Sequence, residues 1–139
     1  MRRPFVKLHY HFVWSTWDRM PLLRGALESA IHAAILAKCR ALGCVVLALG
    51  GVEDHVHLLV GAPTSLPPSQ IVGEVKGASS HLANHELRSE TLFRWQGAYG
   101  LFSVSHGDLA RVQAYVNGQR EHHRAGDLVA EWETSEDPR

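Results

Sequence analysis

The sequence lacks long apolar runs. No stretch approaches the roughly 18 residues that a membrane-spanning helix needs. Met1-Arg2-Arg3-Pro4 is basic, but alternating Tyr10, His11, Phe12 and Val13 follow instead of an apolar signal core. Both features point to a cytoplasmic protein. Cysteine is scarce: Cys39 and Cys44 are spaced too widely for a CxxC motif, which leaves reduced, partly buried thiols. Charge of one sign is not in excess either, because 14 Lys plus Arg match 14 Asp plus Glu. That balance argues against a general nucleic-acid coat protein, which is usually basic overall, but allows a local basic groove. There are no internal repeats or low-complexity segments.

The composition that remains is that of one globular domain of 139 residues. Its charge is segregated. Arg2, Arg3, Lys7, Arg19 and Arg24 face a single acid, Asp18, in the first 25 residues, while Glu131, Glu133, Glu136 and Asp137 crowd the end. We expect residues 1–125 to form the domain and 126–139 to be an acidic, loosely ordered tail. Ten histidines are many for this length and need an account.

Residues 5–16 read as a strand, with His9, His11 and Val13 on one side and Leu8, Tyr10, Phe12 and Trp14 on the other. A helix is predicted from about Arg24 to Leu42, closed by Gly43. Cys44–Leu49 and His55–Val60 read as an antiparallel pair, with Gly50-Gly51 as the turn signal. A second helix follows from about Pro68 to Leu87, then a polar connector over 88–98 and a strand over Gly100–Ser105. Ser105 and Asp108 match a capping box opening a helix that runs to about Arg124. The order β-α-β-β-α-β-α predicts an α+β, ferredoxin-like (split βαβ) antiparallel sheet with two helices on one face, plus a C-terminal helix.

His55 and His57 flank Val56 on a predicted strand, so both imidazoles emerge on one face and can take adjacent positions on one metal ion. His9 and His11 have the same spacing and a neighbouring strand. For that pair the preferred reading is polar packing on the sheet, or contact with phosphate. On the last helix Tyr115 and Gln119 lie one turn apart, beside the apolar stripe of Leu109, Val112 and Val116, and His122 and His123 extend the same flank.

Taken together, these residues resemble the single-tyrosine HUH transposases, including insertion-sequence transposases and REP-associated tyrosine transposases. The HUH string is His55-Val56-His57, within Asp54-His55-Val56-His57-Leu58-Leu59-Val60. Tyr10-His11-Phe12-Val13-Trp14 and Trp17-Asp18-Arg19 are similar to the family's first strand and connector. Lys76-Gly77-Ala78-Ser79-Ser80 is similar to its second helix, and Trp95-Gln96 with Tyr99–Ser105 to the run into its last strand. Val112–Gln119 is similar to its catalytic helix. The resemblance covers roughly residues 5–124 in order. It departs in Val52-Glu53, where the family often has Met-Pro, and in the neutral net charge.

The resemblance implies a catalytic tyrosine at Tyr115 and metal ligands at His55, His57 and Gln119. The metal would be Mg²⁺ or Mn²⁺. The reaction would cleave and rejoin single-stranded DNA near hairpins through a 5′-phosphotyrosine. It also implies a homodimer that is nucleoid-associated when bound to DNA, with no membrane and no nucleotide cofactor. Metal or phosphate proximity should lower the tyrosine pKa. Arg2, Arg3, Lys7, Arg19 and Lys76 are candidate phosphate contacts, and Trp14, Trp17, Trp95 and Tyr99 candidate base-stacking residues. One alternative is a domesticated or non-cleaving hairpin-binding protein of the same fold. A histidine-triad hydrolase is disfavoured, because Leu59 stands where its third histidine would be. A small structural metal protein would unfold on losing its metal.

Overall fold

The computed structural model describes residues 2–87 and 92–138, so part of the predicted 88–98 connector lies outside the described residues. Four β-rich segments become strands: β1 (His9–Ser15), β2 (Val45–Val52), β3 (His55–Gly61) and β4 (Gly100–Ser103). They form one sheet in the order β2-β3-β1-β4, antiparallel at every junction. Two helices, α1 (Gly25–Ala41) and α2 (Pro68–His81), pack on one face. Ile31 and Ile35 of α1 and Ile71 and Val75 of α2 meet Phe12, Trp14, Val56, Leu58 and Val60 there. Gly43 leaves α1 with a left-handed φ of 80°, as expected of a glycine cap. The ferredoxin-like expectation is therefore met. Both cysteines are free and buried, and burial pushes the Cys39 thiol up to about 12.

The opposite face is covered by α3 (Leu109–Asn117), whose Val112 and Val116 pack on Ala48, Leu59 and Val104. Gly50-Gly51 is not the turn; both residues lie inside β2, and the turn falls on Glu53-Asp54. A register shift between Val46 and Ala48 turns Gly50 towards α3. A Cβ at Gly50 would sit 2.0 Å from the Val116 carbonyl oxygen, so its absence lets the α3 backbone lie on the sheet.

The last helix is not continuous. It breaks at Gly118 (φ −98°, ψ 22°) and resumes as α4 (Gln119–Ala125). Ser105 Oγ donates to Asp108 Oδ2 at 3.0 Å, and residues 106–108 form a 3₁₀ turn before α3, so this pair does not cap the helix backbone. The expected loose tail is also corrected. A 3₁₀ turn at Ala130–Glu133 packs Trp132 against the α3 core, and Ser135 is buried. Gly100 makes room for this segment, since a Cβ there would lie 2.2 Å from the Thr134 oxygen. Among the described residues no helix is long and apolar enough to cross a membrane.

Candidate functional site

β3 is buried on both faces, and its alternation divides it chemically. Val56, Leu58 and Val60 join the core under α1 and α2, while His55 and His57 emerge under α3 and α4. Both histidines turn Nε2 towards a common centre. His55 Nε2 lies 3.3 Å from Gln119 Oε1 and 3.0 Å from Glu133 Oε1. His57 Nε2 lies 3.2 Å from Glu133 Oε2. The other ring nitrogens are anchored: His55 Nδ1 on Asp54 Oδ1 at 2.7 Å, and His57 Nδ1 on His11 Nε2 at 2.8 Å.

Tyr115 enters from α3 and is 5% exposed. Its ring stands edge-on to His57 and Trp132 and stacks on His122. Its hydroxyl donates to Glu133 Oε2 at 2.5 Å and accepts from the Val129 amide at 3.1 Å. Gln119 begins α4, directly after the break at Gly118. Its amide nitrogen donates to the Tyr115 carbonyl at 3.2 Å, which turns Oε1 towards His55 and His123. One chain therefore assembles both histidines, the glutamine and the tyrosine.

The carboxylate of Glu133 was not anticipated. It meets Nε2 of His55, His57 and His123 as well as the tyrosine hydroxyl. One ligand atom each from His55, His57 and Glu133 lies within 4.8 Å of the others. Two imidazole nitrogens, an amide oxygen and a carboxylate oxygen suit a divalent cation of the Mn²⁺ or Mg²⁺ type. A cue in the sequence was the apolar run Leu128-Val129-Ala130 with Trp132, which gives the acidic tail something to bury. His11 belonged to the pair read as polar packing. It is fully buried and contacts His57.

The electrostatics follow from burial and pairing. Burial alone would raise the Glu133 carboxyl, but hydrogen bonds with His55 and His57 outweigh it and hold the group well below the usual carboxylate range. Burial pulls His55 down, yet bonds to Glu133 and Asp54 leave it above its ordinary value. His57 ends below its ordinary value, because burial outweighs its bond to Glu133. Burial and the neighbouring His57 drive His11 down to about 3, so it is neutral. Tyr115 is pushed up to about 12 by burial and by its bond to Glu133. The lowering expected from a bound metal or phosphate concerns a different state, since here the phenol is buried beside a carboxylate.

The predicted DNA contacts divide. Arg19 lies beside the site, 3.7 Å from Asp54, and lines two cavities of about 490 and 500 Å³, one shared with Glu133 and the other with His55. Trp17 is exposed, with Arg94 over its ring at 4.0 Å. Arg2, Arg3 and Lys7 are exposed on the N-terminal segment, Lys7 being 3.4 Å from His106 Nε2. Two expectations are corrected. Lys76 Nζ is bound to the carbonyls of Gln96 and Ala98, which ties α2 to the following connector. Trp95 is buried against Trp14 and Phe93 and donates to Ser79 Oγ, so it is a core residue rather than a stacking platform. Trp14 is likewise fully buried, and Tyr99 packs against the same core.

A β2-β3-β1-β4 sheet with a tyrosine helix laid over a His-x-His strand is the architecture of a transposase domain. The profile of the IS200-like transposases matches residues 4–119, and the chain belongs to that family. It is 27% identical over 121 residues to the ISDra2 transposase TnpA of Deinococcus radiodurans, covering 83% of this chain and 86% of the relative. To the IS200 transposase of Salmonella typhimurium it is 25% identical over 127 residues, covering 87% and 82%. The crystal structure of an assigned Deinococcus radiodurans transposase superposes with a TM-score of 0.65 at 26% identity, over 86% of this chain and 96% of that one. A REP-associated tyrosine transposase bound to a REP hairpin shares the fold, with a TM-score of 0.64 at 17% identity over 92% and 74%.

Proposed function

We propose that the chain cleaves and rejoins single-stranded DNA beside a hairpin. Tyr115 is the nucleophile, and His55, His57 and Gln119 hold a divalent metal. The observation that carries this is the convergence of the Tyr115 hydroxyl and both Nε2 atoms on one small anion, the Glu133 carboxylate. A phosphate under attack must touch the metal-binding edge and the nucleophile together. A carboxylate that served only as a ligand would have no need of the tyrosine. These contacts support reading the Glu133 carboxylate as occupying the position a scissile phosphate would take.

When bound, the metal supplies charge neutralisation at the phosphate and fixes its orientation. The chain's residues do the rest. The α3 helix holds the Tyr115 oxygen at the histidine edge, so attack at phosphorus needs no large search. A bond forms from that oxygen to phosphorus, and the bond to the 3′ oxygen breaks. The products are a 5′-phosphotyrosine and a 3′-OH, and attack by another 3′-OH reverses the step. The REP hairpin bound by the structural neighbour supports a hairpin substrate for this chain too. Arg19, beside the site, and the exposed Trp17, Arg2, Arg3 and Lys7 are the remaining candidates for phosphate and base contact. In a homodimer each protomer would hold its own complete site.

The test is incubation of the purified chain with Mn²⁺ and labelled single-stranded hairpins taken from the DNA flanking its gene. A covalent protein–DNA band is expected, and it should vanish in Tyr115→Phe. Tight binding without an adduct would instead identify a non-cleaving hairpin-binding protein of the same fold.

A further inference from the structure

We infer that His11 is a positioning residue that accepts the Nδ1 proton of His57 and so leaves the His57 Nε2 lone pair free for a metal. The inference rests on the metal reading above. His11 emerges from β1 on the same face as β3's histidines, but its direct cross-strand partner is Leu59, and His57 faces Val13. The two imidazoles are thus diagonal neighbours, a separation that only long side chains span. They do so with a 2.8 Å bond between His11 Nε2 and His57 Nδ1 and nearly parallel rings at 5.1 Å. His11 is fully buried, and Phe102 and Trp132 flank its ring.

A neutral imidazole carries one N–H. If Nε2 of His57 is to donate its lone pair, the proton sits on Nδ1 and must be accepted by His11 Nε2. The single proton of His11 then sits on its own Nδ1. That atom is buried and has no hydrogen-bond partner among the described residues. Nothing on its far side therefore fixes the tautomer of His11, which can follow that of His57. With the metal absent both tautomers reverse: His57 Nε2–H donates to Glu133, 3.2 Å away, and Nδ1 accepts from His11 Nε2–H. Neither state changes the total number of protons on the pair. A backbone carbonyl could only accept, and a lysine could only donate. Asp54 does the parallel work for His55, but as a fixed acceptor.

The experiment is calorimetric titration of Mn²⁺ into the full chain without DNA, comparing the parent, His11→Leu and His11→Gln. A glutamine places an amide oxygen or nitrogen near the position of Nε2 and can play either role. His11→Leu should weaken binding about 10- to 100-fold, and His11→Gln should restore most of it. Equal binding by parent and His11→Leu would overturn the inference while leaving the metal site standing. A parent chain that binds no metal would sink the metal reading and this inference together. Should His11→Leu fail to fold, ¹⁵N NMR of the parent with Zn²⁺ decides. The proton of His57 is expected on Nδ1, and a proton on Nε2 with ligation through Nδ1 would overturn the role of His11.

Discussion

Tyr115 rests in an environment that keeps its proton on. Burial and the Glu133 carboxylate raise its pKa to about 12, so the phenol gains stability from staying neutral. A group raised in the folded state contributes fully below its unfolded value of ~10, and loses that contribution as pH rises through ~12. Replacing Glu133 with alanine removes the acceptor and the like charge at once. Ultraviolet titration at pH 11 should therefore show more ionised phenol in Glu133→Ala than in the parent. In the Tyr115→Phe background the same substitution should make no difference. Equal phenolate in the parent and Glu133→Ala would mean that the carboxylate does not govern Tyr115. The sequence singled out this tyrosine but gave no sign of its carboxylate partner, which lies 18 residues away in a segment with no periodicity.

At the level of elements, the geometry of the candidate site depends on how closely α3 approaches β2. Gly50 sets that approach, since a methyl there collides with the Val116 carbonyl. Gly50→Ala should cost about 1–3 kcal/mol, as overpacking does. It should also displace the turn of helix that carries Tyr115. Chemical denaturation should show the lost stability, and adduct formation should fall further than the stability loss explains. An unchanged midpoint and unchanged adduct yield would show that α3 accommodates the methyl without moving. The same contact marks the limit of the sequence. Periodicities of 2 and 3.6 located the strands and helices well, because each buries a regular face. The strand pair His55 and His57 was legible for the same reason. Gly50-Gly51 was misread as a turn because a glycine needed for close backbone approach looks the same as one needed for bending. The break at Gly118 was invisible, since the apolar stripe of α3 ends before it. The embedding of Trp95 and the tethering of Lys76 depend on contacts between segments far apart in sequence, and no local pattern reports them.

On the scale of the whole molecule, the acidic tail closes over the site built by the rest of the chain. Trp132 anchors the turn, Thr134 packs on Gly100, and Glu133 reaches the histidines and the tyrosine. Under the proposed reaction two anions could not share that position without strong repulsion, so an incoming phosphate would have to displace Glu133. The tail then has two opposing effects on one centre. On that reading it adds a charged donor before DNA arrives and would strengthen metal binding. Once DNA is present it competes with the substrate. Truncation after Gly126, and Glu133→Ala within the full chain, should both weaken Mn²⁺ binding in the absence of DNA. At saturating Mn²⁺ both should form the Tyr115–DNA adduct faster in single-turnover assays. Glu133→Ala separates loss of the carboxylate from loss of the packing that Trp132 provides. Slower adduct formation by both variants at saturating metal would instead make Glu133 a ligand that the reaction retains. The phosphate would then have to enter beside the carboxylate, from the cavity that Arg19 lines together with Glu133.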